Sequence, residues 1–375
     1  MPQKVIIIGG GLGGLVSALH LSQKGLQVQL IEKYSFPRHK VCGEYISNEV
    51  LPYLRSLGFD PFEYGAKDIS DFTLSTPGSR YINTTLPLGG FGISRFCIDE
   101  KLAALAGEHG THIIKDTVED IQFHDDFFEV RTRSGTIYSA DLVIGSFGKR
   151  SNLDVKMQRA FIKKESPFLA VKAHYKGDMP DNAVGLHNFE GGYCGVSKVE
   201  NDHINICYIA DFKSFKRFKN IDDFQKKVLS KNTFLSEMFS KAEMAFDKPL
   251  SISQVSFESK APVENHVLMC GDSAGMIHPL AGNGMSMAIR AAQMVSQLIV
   301  KYDRGEIISR EELEKTYAME WNGEFAGRLR SGHIISRLFR LGIFSELIMM
   351  FLNAVPFLLP KIISKTHGKP MLAEQ

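Results

Sequence analysis

Gly9, Gly11 and Gly14 stand at the spacing G-x-G-x-x-G in the run Gly9-Gly10-Gly11-Leu12-Gly13-Gly14. The first glycine permits a tight turn, the second lets backbone approach a pyrophosphate, and the third lets a helix pack closely on a strand. Glu32, with Lys33 beside it, lies about 20 residues further on, where a carboxylate accepts hydrogen bonds from ribose hydroxyls. A second group stands far away: Gly271 and Asp272 end an apolar run, and His278, Pro279, Gly282, Asn283, Gly284 and Met285 follow. An aspartate there suits the sugar-alcohol hydroxyls of a ribityl chain, which FAD has and NAD lacks. Gly282 and Gly284 would let backbone N–H groups reach a flavin ring, and a helix N-terminus beyond them would favour negative charge on it.

These groups need particular elements to hold them. Residues 5–8 form a β-branched run suited to a buried parallel strand, 15–24 carry helical periodicity, Gly25 ends that helix, and 27–31 read as a second strand. This makes one βαβ unit. The start is apolar enough to resemble a signal peptide, but no basic cluster precedes it, so a strand is expected. A helix is expected over 98–109 and a strand over 138–144. Strands at 169–171, 184–186, 193–196 and 204–209 read as antiparallel hairpins. Helix follows over 212–241, then a strand over 266–269, a helix over 284–302, and helical structure to the end. The expected fold is α/β (α+β overall): a Rossmann-like FAD-binding domain with an inserted antiparallel-sheet substrate domain and C-terminal helices. Its parts are 1–70, 93–155 and 255–303 for the cofactor, 71–92 and 156–254 for the substrate, and 304–375 at the end.

Residues 37–47 read P-R-H-K-V-C-G-E-Y-I-S, and 95–102 read R-F-C-I-D-E-K-L. With the two glycine segments, these motifs resemble the FAD-dependent family of para-hydroxybenzoate hydroxylase-type monooxygenases, geranylgeranyl reductases and flavin-dependent halogenases. The likeness spans residues 1 to about 300, and P-R-x-K-x-C-G-E-x-x-S points to the geranylgeranyl reductase branch. The resemblance implies that Cys42 and Gly43 lie beside the flavin and that Arg95 contacts the cofactor. It also implies that NAD(P)H or another reductant supplies electrons. The hydroxylase Asp-Gly pair is replaced around Ser146-Phe147-Gly148. The reductase Y-x-W-x-F-P keeps Tyr193 without its tryptophan, and the halogenase W-x-W-x-I-P is missing.

A flavin at this site leaves two main outcomes. A reductase adds hydride to an alkene while an acid protonates the other carbon, and a monooxygenase adds hydroxyl to an electron-rich aromatic, quinone-like or polyketide substrate. A third reading is a non-catalytic flavin-binding or electron-transfer module. Cys42 is the candidate proton donor, or a packing group at the flavin edge; His278 and Tyr193 are candidates to line the substrate cavity. The net charge of +2 over 375 residues gives no reason to expect nucleic acid. Five dispersed cysteines point to a reducing cytosol, with no metal-binding spacing and no Ser-His-Asp arrangement. Residues 341–359 are apolar with basic flanks, but Glu346, Asn353 and Pro356 interrupt them. Helices packed on the substrate domain or lying at a membrane surface are expected there, serving a hydrophobic small-molecule substrate.

Overall fold

The computed structural model describes residues 3–164, 167–218, 220–255, 257–277, 283–339, 343–365 and 367–373. Its first strand, Lys4–Ile8, is apolar from Val5 onward and lies at the centre of a sheet because both of its faces are covered. Gln27–Glu32 and Leu142–Gly145 pair with it in parallel, Ile8 standing opposite both Ile31 and Gly145. Among the described residues the sheet runs Val263–Glu264, Val267–Met269, Leu142–Gly145, Lys4–Ile8, Gln27–Glu32, His112–Lys115. The first helix, Leu12–Gln23, is buried on every side from Leu12 to Ser22. It packs between helices Arg95–Glu108 and Gly284–Asp303.

A larger mixed sheet stands against this unit. Its order is Glu243–Met244, Phe168–Lys176, Ile204–Asp211, Gly192–Lys198, Ala183–Phe189, Lys67–Ser75, Tyr81–Gly92, Tyr45–Ser47, and Leu250–Val255 also pairs with Phe168–Lys176. The chain crosses into it at Tyr45–Ser47, inside the 1–70 stretch expected of the cofactor unit. Side chains alternate across it. Leu169, Val171, Ala173 and Tyr175 face a small core with Phe224, Leu229 and Leu235. Phe168 and Ala170 face the other way, with Tyr193, Ile209 and Val255, against Val41 and Met276 of the cofactor unit.

Two expectations are corrected. The strand expected over 138–144 is two strands in different sheets, Ile137–Ala140 and Leu142–Gly145. Asp141 makes the crossing, its N–H bonding Lys4 O at 2.9 Å and its Oδ2 accepting from Lys4 N at 2.7 Å. The helix expected over 212–241 is three short ones, Phe212–Phe215, Ile221–Lys227 and Thr233–Lys241. Asp211, Asn220 and Asn232 each cap one, and a side chain that satisfies free N–H groups at a new start favours a break there.

At the C-terminal end, helices Arg310–Phe339, Ile343–Ala354 and Leu358–Ser364 follow. Met349, Leu352 and Leu359 pack on Leu74 and Ile82 of the large sheet. The tail then returns to the cofactor unit, where Met371 N donates to Glu49 O at 2.7 Å. No single helix among the described residues is long and apolar enough to cross a membrane; a pair bent by 112°, Glu346–Ala354 and Leu358–Ser364, passes that test only together.

Candidate functional site

The three glycines of the first turn have three different surroundings. Gly9 has φ 105°, and a Cβ there would lie 2.3 Å from Ser146 O. A Cβ on Gly14 would lie 2.1 Å from Gly9 O, so the helix could not pack on its strand. Gly11, which caps the helix without a side chain, would place a Cβ in open space, 3.8 Å from Arg95 Nη2. Two of these positions serve the protein, and the third borders the space a ligand would enter.

Glu32 fixes the turn from the next strand. Its Oε2 accepts from Gly10 N at 2.7 Å and its Oε1 from Tyr34 N at 3.0 Å. A carboxylate has further lone pairs for a ribose hydroxyl. Lys33 points outward, its ammonium 5.0 Å from the Tyr34 ring centroid, at the rim. Opposite Gly11, Arg95 grips Asp99 through two bonds of 2.8 and 2.7 Å, and Lys40 joins the same carboxylate at 2.6 Å. Lys40 also donates to Gly10 O at 3.0 Å. Burial, followed by the neighbouring Arg95, lowers the Lys40 ammonium to about 8. Burial opposes the charge of Arg95 as well, but Asp99 outweighs it and raises the guanidinium above its ordinary value. Two cations on one carboxylate leave a net positive charge at a helix N-terminus, as a pyrophosphate requires.

The distant segment closes the other side. A Cβ on Gly13 would lie 2.9 Å from Cys270 Sγ, so the first helix abuts the strand end that carries Gly271 and Asp272. Gly271 takes φ 64°. The Asp272 carboxylate accepts no hydrogen bond from any described residue. Burial raises it above the ordinary range, against the pull of Lys260, Arg95 and Lys149. Lys260 braces the turn, donating to Asp272 O at 2.6 Å and Lys149 O at 2.7 Å. Asn283 Nδ2 reaches Glu49 Oε1 at 3.3 Å, Gly284 opens the long helix, and Met285 is buried. His278, Pro279 and Gly282 lie outside the described residues. An open glycine edge, paired cations and an aspartate without a described hydrogen-bond donor fit the phosphates and polyol chain of FAD.

Cys42 and Gly43 sit where this cradle meets the large sheet. Asn205 Nδ2 donates to both of their carbonyls, at 3.2 and 2.8 Å. A Cβ on Gly43 would meet no atom within 4 Å. Burial raises the Cys42 thiol above its ordinary range, although Arg95 draws it down. Tyr193 lies on the sheet face turned toward the cofactor unit, buried among Phe168, Ala170 and Ile209. Burial pushes its phenol well up.

The sequence reading assigned no role to Glu44, Lys172 and His174. Glu44 is wholly buried with φ 54°, and its Oε1 accepts from Arg95 N at 2.7 Å and Lys172 Nζ at 2.5 Å. Its Oε2 meets His174 Nε2 at 2.7 Å. Burial alone would raise this carboxyl, but Lys172 and His174 hold it below the ordinary range. The signal was there: Lys172 and His174 interrupt the otherwise apolar stretch from Phe168 to Tyr175, and a buried lysine demands a partner.

Residues 3–66 match the family model described as an FAD binding domain. The chain is 24% identical to conditioned medium factor receptor 1 of Dictyostelium discoideum over 99% of this chain and 75% of that one. It is 25% identical to digeranylgeranylglycerophospholipid reductase 1 of Methanosphaera stadtmanae, over 84% of this chain and 79% of that one. In three dimensions it resembles the flavin-dependent brominase Bmp2, with a TM-score of 0.80 at 19% identity over 97% of this chain and 94% of that one. That likeness is one of fold. FAD is the cofactor, and the chain is a flavin-dependent enzyme, similar in sequence to a digeranylgeranylglycerophospholipid reductase and in fold to a flavin-dependent brominase.

Proposed function

We propose that this enzyme reduces carbon–carbon double bonds of an isoprenoid or similar lipid, with Cys42 as the proton donor. The observation that carries the reading is the sheet face of Phe168, Ala170, Tyr193, Ile209 and Val255, turned toward the loop and strand-end residues Val41 and Met276. An apolar wall beside a cofactor cradle selects an apolar substrate, and a thiol kept protonated beside it supplies an acid. When bound, the flavin supplies the hydride. Gly11, Glu32, Arg95 and Asp272 would hold and orient it on the turn that Gly9 and Gly14 permit, and the sheet would exclude water. Similarity to the reductase relative supports the same substrate class.

The C-terminal helices favour delivery from a lipid surface. Leu347, Met350 and Phe351 fall at i, i+3 and i+4 on the outer face of their helix, and Phe351 and Phe357 are 58% and 61% exposed. A helix apolar on both faces expects cover on both. Residues 347–373 contain Lys361, Lys365 and Lys369 and no acidic residue, which suits anionic headgroups. Leu186 touches both the cluster under these helices and the apolar sheet face, so the outer surface lies close to the inner one.

The test is anaerobic. The purified holoenzyme is reduced with dithionite, cleared of excess reductant, and mixed with geranylgeraniol in mixed micelles or with air-saturated buffer and a phenol. Reoxidation by the alkene without oxygen supports the reading. Turnover that requires oxygen and yields a hydroxylated ring overturns it and establishes the monooxygenase alternative.

A further inference from the structure

The large sheet changes character along its inner face. Across three strands one row holds Ala170, Ile209 and Tyr193, the next Lys172, Cys207 and Gly195, and the next His174, Asn205 and Ser197. The wall thus passes from apolar to charged within two residue pairs, beside the Cys42 loop. Lys172 has no exposed surface. Among the described residues, its ammonium has one hydrogen-bond partner, Glu44, and lies 5.9 Å from the centroid of Phe246. A buried ion pair kept only for stability is often no better than apolar packing. This one is held by a residue in a left-handed backbone conformation two positions from the candidate acid.

The group also leads outward. His174 has the His39 ring edge-on at 5.1 Å and the His203 ring stacked at 5.8 Å, and both outer histidines are half-buried. Burial first, then Lys172 and His174, lowers His39 to about 4; burial and His174 lower His203. Each imidazole has two ring nitrogens, so it can take a proton on one and release it from the other. The other charged and titratable groups around Cys42 and Glu44 are Arg95 on the helix and Cys207 on the strand.

We propose that Lys172, Glu44 and His174 form a proton relay that re-protonates Cys42 after each turnover, fed from solvent through His39 and His203. The proposal rests on the reading of Cys42 as the acid. Hydride from the reduced cofactor brings two electrons to one alkene carbon, ultimately from an external two-electron donor. The Cys42 S–H bond breaks as a C–H bond forms at the other carbon, leaving a thiolate. A Lys172 N–H bond then breaks as the S–H bond re-forms. The amine regains its proton from His174 across the Glu44 carboxylate, and His174 is recharged by His39 or His203 and water. The relay carries protons and no electrons.

Two measurements on the FAD-loaded enzyme test this. The first needs no turnover: the rate at which iodoacetamide alkylates Cys42, followed by peptide mass spectrometry across pH. Lys172→Met should slow alkylation at pH 8 about tenfold by withdrawing the charge that favours the thiolate, and Lys172→Arg should restore most of the rate. The second is turnover of geranylgeraniol by the enzyme under anaerobic excess dithionite, which re-reduces the cofactor after each product. His174→Ala should deliver one product per site at the parental rate, then stall at least tenfold below it, and imidazole should relieve the stall. Steady turnover in His174→Ala at the parental rate, or alkylation of Lys172→Met at the parental rate, overturns the relay. If the parent reduces no alkene, the reductase reading fails by itself, and the alkylation series still decides whether Lys172 governs Cys42.

Discussion

Two strands, one at the centre of the smaller sheet and one a single strand in from the end of the larger, are both buried along nearly their whole length. Lys4–Ile8 achieves this with apolar side chains alone, whereas Phe168–Lys176 buries Lys172 and His174 as well. The first is flanked by strands Gln27–Glu32 and Leu142–Gly145, which offer it apolar neighbours. The second depends on Glu44, 128 residues away from Lys172, to complete its inner face. Apolar burial is satisfied by any well-packed neighbour, while buried charge is satisfied by one particular group. The first strand is thus a scaffold, and the second is a scaffold that also carries a buried charge cluster.

The sharpest way to break that contrast is to remove the partner. Glu44→Ala leaves a buried ammonium unpaired and should cost about 3–5 kcal/mol of stability, measured by urea denaturation. Ile7→Val, in the scaffold strand, should cost about 0.5–1.5 kcal/mol. Equal losses would remove the distinction.

Acid tests a second buried base. His187 lies on the large sheet, bonded to Ser75 Oγ at 2.9 Å, and burial lowers its pKa to about 4 from 6.5. The unfolded chain therefore binds a proton that the folded one refuses between those values, so stability present above pH 6.5 is lost as pH falls toward 4. The loss should approach ~3 kcal/mol, and His187→Phe should flatten the dependence in thermal melts between pH 4 and 7.

The same contrast runs through single glycines. Gly14→Ala meets Gly9 O and should lower stability by about 1–3 kcal/mol through overpacking. Gly11→Ala should leave the melting temperature of the apoprotein nearly unchanged and weaken FAD binding at least tenfold. The smallest expected effect is at the surface: Phe351→Glu should leave FAD binding intact and reduce cosedimentation with anionic phosphatidylglycerol vesicles several-fold.

What the sequence made legible follows from these differences. The first turn could be read because Gly9 and Gly14 answer local steric demands within a short βαβ unit. The second segment could be read because Gly271-Asp272 ends an apolar strand before a long helix. Cys42, Arg95 and Tyr193 could be named, but the contacts that tie Cys42 to Asn205 and Arg95 to Glu44 depend on long-range packing. Glu44 stood inside the quoted motif without a role, because its partners lie on a strand from a different region of the chain. The break at Asp141 and the caps at Asn220 and Asn232 were missed because hydrophobic periodicity continues through a change of sheet or a short turn.

The account rests most on two distant segments converging on one cofactor. FAD titrated into apoprotein, followed by quenching of flavin fluorescence, tests it in the parent, Gly11→Ala, Asp272→Ala and the double variant. Each single change should weaken binding at least tenfold, and the double change should weaken it further. A parent that binds no FAD, or an Asp272→Ala variant that binds as tightly as the parent, would contradict it.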